Sequence, residues 1–237
     1  MRNKTLLATL AVALMLPITT QAQEKPHAHS GGIFHAFTLE ADTGGSRNGP
    51  VSSWDLNGWI GGDTNKLWLK SEGEYVDGAY ESAEFWAMYS RNIATFWDFQ
   101  AGIRHDTRPR STSYAVLGVA GLAPYFIETE AHLFLSDDGD VSARLRGETD
   151  FLFTQQLILQ PYMEGNLYAQ DVANQEVGAG ISDAKAGLQL RYEFTRDFAP
   201  YVDVHYGRKF GETSAIAERH HEDKDEAAVS FGLRVMF

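Results

Sequence analysis

The chain has no cysteine. That excludes disulfides, thiolate metal sites and a cysteine nucleophile together. Any soft-metal chemistry must then use Met and His, with carboxylates as harder partners. Positive charge is also scarce, with 20 Lys+Arg against 32 Asp+Glu and a formal net charge of −12. A basic footprint for nucleic acid is therefore absent. Beyond residue 22 no apolar run approaches the roughly 18 residues of a membrane-spanning helix. Nucleophile-elbow, Walker and HExxH patterns are missing, so the chain reads as a non-enzyme. No internal repeat or second domain is visible.

What is present begins with an address. Arg2 and Lys4 precede the uncharged run Leu6 to Leu16, and Thr20-Gln21-Ala22 has the small-x-small form of a cleavage site. Residues 1–22 are read as a cleaved signal peptide. Residues 23–32 are polar and short, and read as a flexible periplasmic arm carrying histidine.

From Ile33 to Phe237 the chain alternates with period two. In Ile127-Glu128-Thr129-Glu130-Ala131-His132-Leu133-Phe134-Leu135 the odd positions are apolar or small, and Glu128, Glu130 and His132 are even. Such alternation gives a strand one apolar and one polar face. Here the polar face is charged with both signs, and aromatics crowd the segment ends, as the interface girdle of a transmembrane barrel requires. A closed barrel pairs every backbone N–H and C=O internally, which makes it the one alternative to helices for crossing a bilayer. Residues 33–237 are therefore predicted to form a single transmembrane antiparallel up-and-down β-barrel in the all-β class, with about twelve strands and ten as the alternative. The strands fall near 33–42, 51–62, 66–76, 80–91, 95–107, 112–122, 125–136, 139–152, 155–169, 180–195, 199–211 and 225–237. Short turns alternate with generally longer loops, which places both termini in the periplasm and the barrel in a Gram-negative outer membrane.

Turning the polar face inward assigns a lumen. Glu72, Glu74, Glu84, Glu128 and Glu130 stand there with few intervening cations, and are candidates for a metal path. His132, His205 and Met88 share that parity. His27, His29 and His35 cluster near the mature N-terminus, where His27-x-His29 suits two imidazoles on one metal. Each has a plainer reading: paired carboxylates, a hydrogen-bonded imidazole, a packed thioether. His220-His221-Glu222-Asp223 is read as a solvated, charged loop.

Several blocks resemble one known family. They include Gly61-Gly62-Asp63 with Lys66-Leu67-Trp68-Leu69-Lys70, Phe96-Trp97-Asp98 with Gln100-Ala101-Gly102, Gly121-Leu122-Ala123-Pro124-Tyr125, Leu159-Gln160-Pro161, and Phe198-Ala199-Pro200-Tyr201. Together they resemble the CopB/PcoB family of copper-resistance outer-membrane proteins. The resemblance implies an outer-membrane barrel that handles copper ions beside a periplasmic copper-binding protein and a multicopper oxidase. It also implies that copper is the bound or transported ion and that lipid surrounds the barrel. Family members often carry a long Met- and His-rich segment before the barrel. Here that segment is reduced to His27-Ala28-His29 and His35, which shifts the expectation from storage towards transfer or export. The alternative is a general cation-selective porin without specific metal sites.

Overall fold

The structure is a computed structural model, and it describes residues 32–220 and 222–237. The predicted signal peptide, nearly all of the predicted arm with His27 and His29, and His221 lie outside the described residues.

The strands are β1 (Phe34–Ser46), β2 (Gly49–Gly61), β3 (Asn65–Val76), β4 (Ala79–Ala94), β5 (Trp97–Arg108), β6 (Thr112–Ala123), β7 (Ile127–Ser136), β8 (Val141–Glu148), β9 (Phe151–Leu152), β10 (Leu157–Tyr168), β11 (Gly180–Tyr192), β12 (Phe198–Lys209) and β13 (Asp225–Met236). All pairs are antiparallel between sequence neighbours, and β13 returns to β1 with Glu40 opposite Arg234. β8 and β9 both pair with β10, so they are two pieces of one stave interrupted at Thr149-Asp150. The result is a closed twelve-stave barrel. The seam is locked by Phe237, whose backbone exchanges hydrogen bonds of 2.9 and 3.0 Å with Phe37 while the two rings stack at 5.7 Å.

Burial is inverted relative to a water-soluble domain. Leu133 is 58% exposed on the outer wall, whereas its neighbour His132 is 3% exposed inside. Phe85, Ile103, Leu117, Leu145, Met163, Leu188 and Phe231 share the outer face with Leu133. Lys70, Glu84, Arg104 and Arg191 are buried within. Only lipid makes such an exterior favourable, because apolar area left in water costs about 25 cal/mol per Å². Exposed aromatics ring both ends, with Phe96, Tyr125, Phe126, Phe151 and Phe194 at one and Tyr75, Tyr80 and Tyr206 at the other.

The two ends differ. At the turn end, where β1 starts and β13 finishes, the connections are short throughout. At the loop end the longer set is less uniform than the sequence suggests. β1 and β2 extend until residues 47 and 48 alone join them, and Asp77-Gly78 closes β3 to β4 with both residues at positive φ, the geometry of a tight hairpin. Length is concentrated in residues 169–179 and 210–224.

One element departs from the all-β expectation. Residues 211–220, read as strand end and solvated loop, form helix α1 (Gly211–His220). Glu212 lies in its first turn and Arg219 and His220 in its last, which complements the helix dipole. Thr213 and Ala217, four apart and so on one face, are its buried residues. The Thr213 hydroxyl accepts a bond from the Gly178 N–H at 3.0 Å, tying α1 to the β10–β11 loop. Just beyond, Lys209 donates to Glu222 at 2.9 Å and holds that carboxyl below the usual carboxylate range. A depressed folded value means the tether contributes above the unfolded pKa and is lost as pH falls through the lower one. Protection from hydrogen exchange in residues 210–224, taken relative to the intrinsic amide rate at each pH, is therefore expected to be high at neutral pH and to fall under acid conditions, and Lys209→Met should abolish that dependence.

Candidate functional site

The bore is organised around inward residues of β3, β4, β7 and β8. On β3 and β4, parity brings Lys70, Glu72, Glu84, Trp86 and Met88 inside. β7 and β8 stand across the bore and supply Glu130, His132, Phe134, Arg144 and Arg146. Lys70, Glu72, Trp86, Glu130, His132, Arg144 and Arg146 enclose one small internal cavity.

Of the two readings of the inward glutamates, ion pairing describes Glu72, Glu84 and Glu130. Arg144 donates to Glu84 at 3.0 and 3.1 Å and to Asn166 at 3.0 Å, and stands 3.5 Å from Glu72 and from Glu164. Arg146 donates to Glu72 at 3.1 Å and to Glu164 at 3.0 Å. Arg104 joins Glu84 at 2.8 Å and Asp106 at 2.6 Å, and Lys70 is paired with Glu130. Arg104 reaches Glu84 from the neighbouring strand, but Arg144, Arg146 and Lys70 come from strands 60 to 74 residues away from Glu84, Glu72 and Glu130, so intervening residues along the chain said nothing about them. Low dielectric explains the pairing, since a carboxylate withdrawn from water needs a partner.

Beside this network lies an apolar cluster of Trp86, Met88, Tyr114, Val116 and Phe134 on the inner wall. Arg104 sits 4.9 Å above Tyr114, 5.0 Å above Phe134 and 5.4 Å above Trp86, so its charge is held by carboxylates and aromatic faces together. Sequence reasoning did not single out these aromatics. In Glu84-Phe85-Trp86-Ala87-Met88 both faces are apolar, so alternation carries little signal; the even parity of Phe134 was the available clue.

The candidate ligands scatter. Met88 is fully buried in the aromatic cluster. His132 Nε2 lies 2.8 Å from Gln100 Oε1, with its ring edge-on to Trp86. His205 Nδ1 lies 2.8 Å from Asp203 Oδ1, whose other donor is the Tyr162 hydroxyl at 3.1 Å. Glu74 is inward near the loop end, with Oε1 unpartnered among the described residues. Glu128 is exposed at the turn-end rim. His35 is exposed near the start of β1, on the parity opposite to Glu40 and hence outside the bore. Glu72, Glu84, Glu130 and His132 are thus brought together, with cations between them. Among the described residues, no three His, Asp or Glu side chains converge to hold a metal ion.

The alternation, the closed ladder and the charged bore meet a matching family model over residues 34–237, described as copper resistance protein B precursor (CopB). The chain belongs to the CopB family. It is 44% identical over 186 residues to copper resistance protein B of Escherichia coli, covering 78% of this chain and 63% of that protein. A copper resistance protein B homolog of Pseudomonas syringae pv. tomato is 40% identical over 193 residues, covering 81% of this chain and 66% of that one. The matched region thus spans slightly under two thirds of each relative's length. Among solved structures, the NanC porin aligns with a TM-score of 0.57 at 12% identity, over 83% of this chain and 98% of its own. The KdgM porin gives 0.52 at 12% identity, over 85% and 99%. At such identity these two speak for the fold of outer-membrane porins and for nothing finer.

Proposed function

We propose that this CopB-family barrel sits in the outer membrane with both termini in the periplasm, confers copper resistance, and does so by binding periplasmic copper and assisting its sequestration or export. Family membership over the whole barrel carries the reading. Copper is the ion handled, and lipid is the barrel's environment. A periplasmic copper-binding protein and a multicopper oxidase are the partners the family suggests. His27, His29 and His35 supply imidazole where the chain would first meet periplasmic ions, and His132 and His205 supply it in the bore.

The rival reading, a general cation-selective porin, fits the acidic composition but meets an obstacle. The pairs Arg144–Glu84, Arg146–Glu72 and Lys70–Glu130 link separate walls of the bore. They neutralise carboxylates that would otherwise select cations by sign.

The test is copper tolerance of a strain lacking its own copy, complemented with the chain or with a variant in which His27, His29, His35, His132 and His205 are all Ala. The intact chain is expected to restore growth at elevated copper, and the variant, present at equal level in the outer membrane, to restore much less. Equal rescue by both would leave the histidines without a role in resistance.

A further inference from the structure

The β10–β11 loop, residues 169–179, closes on itself and on the inner wall of the barrel. Val172 and Val177 bridge each other through backbone bonds of 2.9 and 3.4 Å, with one 3-10 turn, Ala173–Gln175, between them. Across the base, the Ala179 N–H donates to the Asp171 carboxylate at 2.7 Å. The loop is thus a small unit with its own bonds. At its tip the Gln175 amide donates to the Tyr114 hydroxyl at 2.8 Å and accepts from the Tyr168 hydroxyl at 3.2 Å.

Those two tyrosines locate the tip. Tyr114 faces inward two residues from the loop end of β6, in the cluster with Trp86, Met88 and Phe134. Tyr168 pairs with Ser142, and Ser142 with the buried Phe134, so Tyr168 faces inward too. β7 and β8 stand between the two strands. At roughly 4.8 Å per strand the two rings are rooted about 14 Å apart along the wall. Inward rings that far apart meet at one amide because it stands off the wall, over the mouth of the bore. On the other side α1 braces the base. A Cβ on Gly178 would stand 2.4 Å from Glu212 Cβ, so glycine is what admits the helix this closely.

What holds the tip down is mostly polar. Val172 is its one buried apolar side chain. Besides Gln175, the tip meets Asp138 through Asn174 and His220 through Glu176, at 3.4 Å each and on exposed groups. Amide–hydroxyl bonds at a wet mouth exchange for bonds to water at small net cost. A segment with few buried apolar contacts opens far more readily than the whole barrel unfolds. We infer that residues 171–177 are a lid on the loop end of the bore, latched by Gln175 to Tyr114 and Tyr168 and swinging on the base that α1 braces. The lid opens and closes by itself, so it sets how often the bore is open. The Arg144 and Arg146 pairs set how wide it is below. Tyr114 also carries Arg104 4.9 Å over its ring, so the latch and the ion network share a residue. The lid acts on whatever solute the bore passes.

The test uses the full chain, whose lack of cysteine leaves Val172→Cys as its one thiol. Val172 is 3% exposed with the lid down, so modification of that thiol by a bulky, membrane-impermeant maleimide reads opening. Added to this reporter, Gln175→Ala is expected to speed modification about tenfold, and Tyr114→Phe, which keeps the ring beneath Arg104, about threefold. Tyr206→Phe removes a hydroxyl at the same end on the outer wall and should change nothing. The Val172 and Val177 amides, bonded within the lid, should stay protected from hydrogen exchange in all variants. Each variant is first required to keep the heat-shifted mobility of the folded barrel. In a planar bilayer, Arg144→Ala with Gln175→Ala should pass more current than Arg144→Ala alone. Reporter-like rates in both Gln175→Ala and Tyr114→Phe overturn the latch. Loss of amide protection in step with modification shows a melting loop and overturns the lid. Equal currents with and without Gln175→Ala show that the loop does not cover the bore, and overturn the gate.

Discussion

Arg144→Ala is expected to cost the barrel about 3–5 kcal/mol of stability, the usual consequence of removing one partner from a buried charge network, and to raise its conductance. Arg144 touches Glu84, Glu72 and Glu164 at 3.0–3.5 Å, and its side chain is 12% exposed. Its loss leaves three carboxylates facing one another with Arg104 and Arg146 as the nearest compensation. Their repulsion opens the bore, and the vacated guanidinium volume admits water. Denaturant unfolding in micelles reads the first effect, and single-channel recording in a planar bilayer reads the second. Arg144→Ala combined with Glu84→Gln should recover part of the stability, because the charge left behind is smaller, while conductance stays high. If Arg144→Ala conducts no better than the parent chain, Arg144 and its carboxylate partners do not occlude the lumen.

Leu133→Arg is expected to be nearly as costly, about 2–4 kcal/mol where the site lies near the bilayer midplane. Leu133 lies within β7, beside Leu117 of β6 and Ala143 of β8. In a water-soluble sandwich a leucine 58% exposed could become arginine with little penalty. In lipid the charge must snorkel or drag water inward. Measured folding into vesicles therefore separates the two architectures, and a neutral outcome would remove the case for a lipid-facing wall. Leu133→Ala controls for lost contact area.

These two substitutions probe different levels of what the residues encode. Leu133 could be assigned outward from its own strand, since Glu130, His132 and Ala131 define the parity within three residues. The same local rhythm marked all twelve staves, including β13 with its terminal Phe237, and each described stave lies within a few residues of its expected place. Helix α1 was the element missed. Its buried residues are just Thr213 and Ala217, too short a stripe to stand out among charged neighbours, and docking against the β10–β11 loop holds it in place. The family was legible too, because its blocks are contiguous and ordered.

The site was legible only in part. Alternation decides which side of the wall a residue faces, since successive side chains along a strand point to opposite faces whatever the rest of the chain does. The sequence by itself therefore determined a lipid-facing shell, a charged interior and the candidates within it. It could not say who meets whom inside. Glu84 and Arg144 are sixty residues apart, and closing the sheet is what brings their strands face to face. The same closure surrounds Met88 with Trp86, Tyr114 and Phe134. Pairing of charge is a long-range property in a low-dielectric space, and only the tertiary structure decides it.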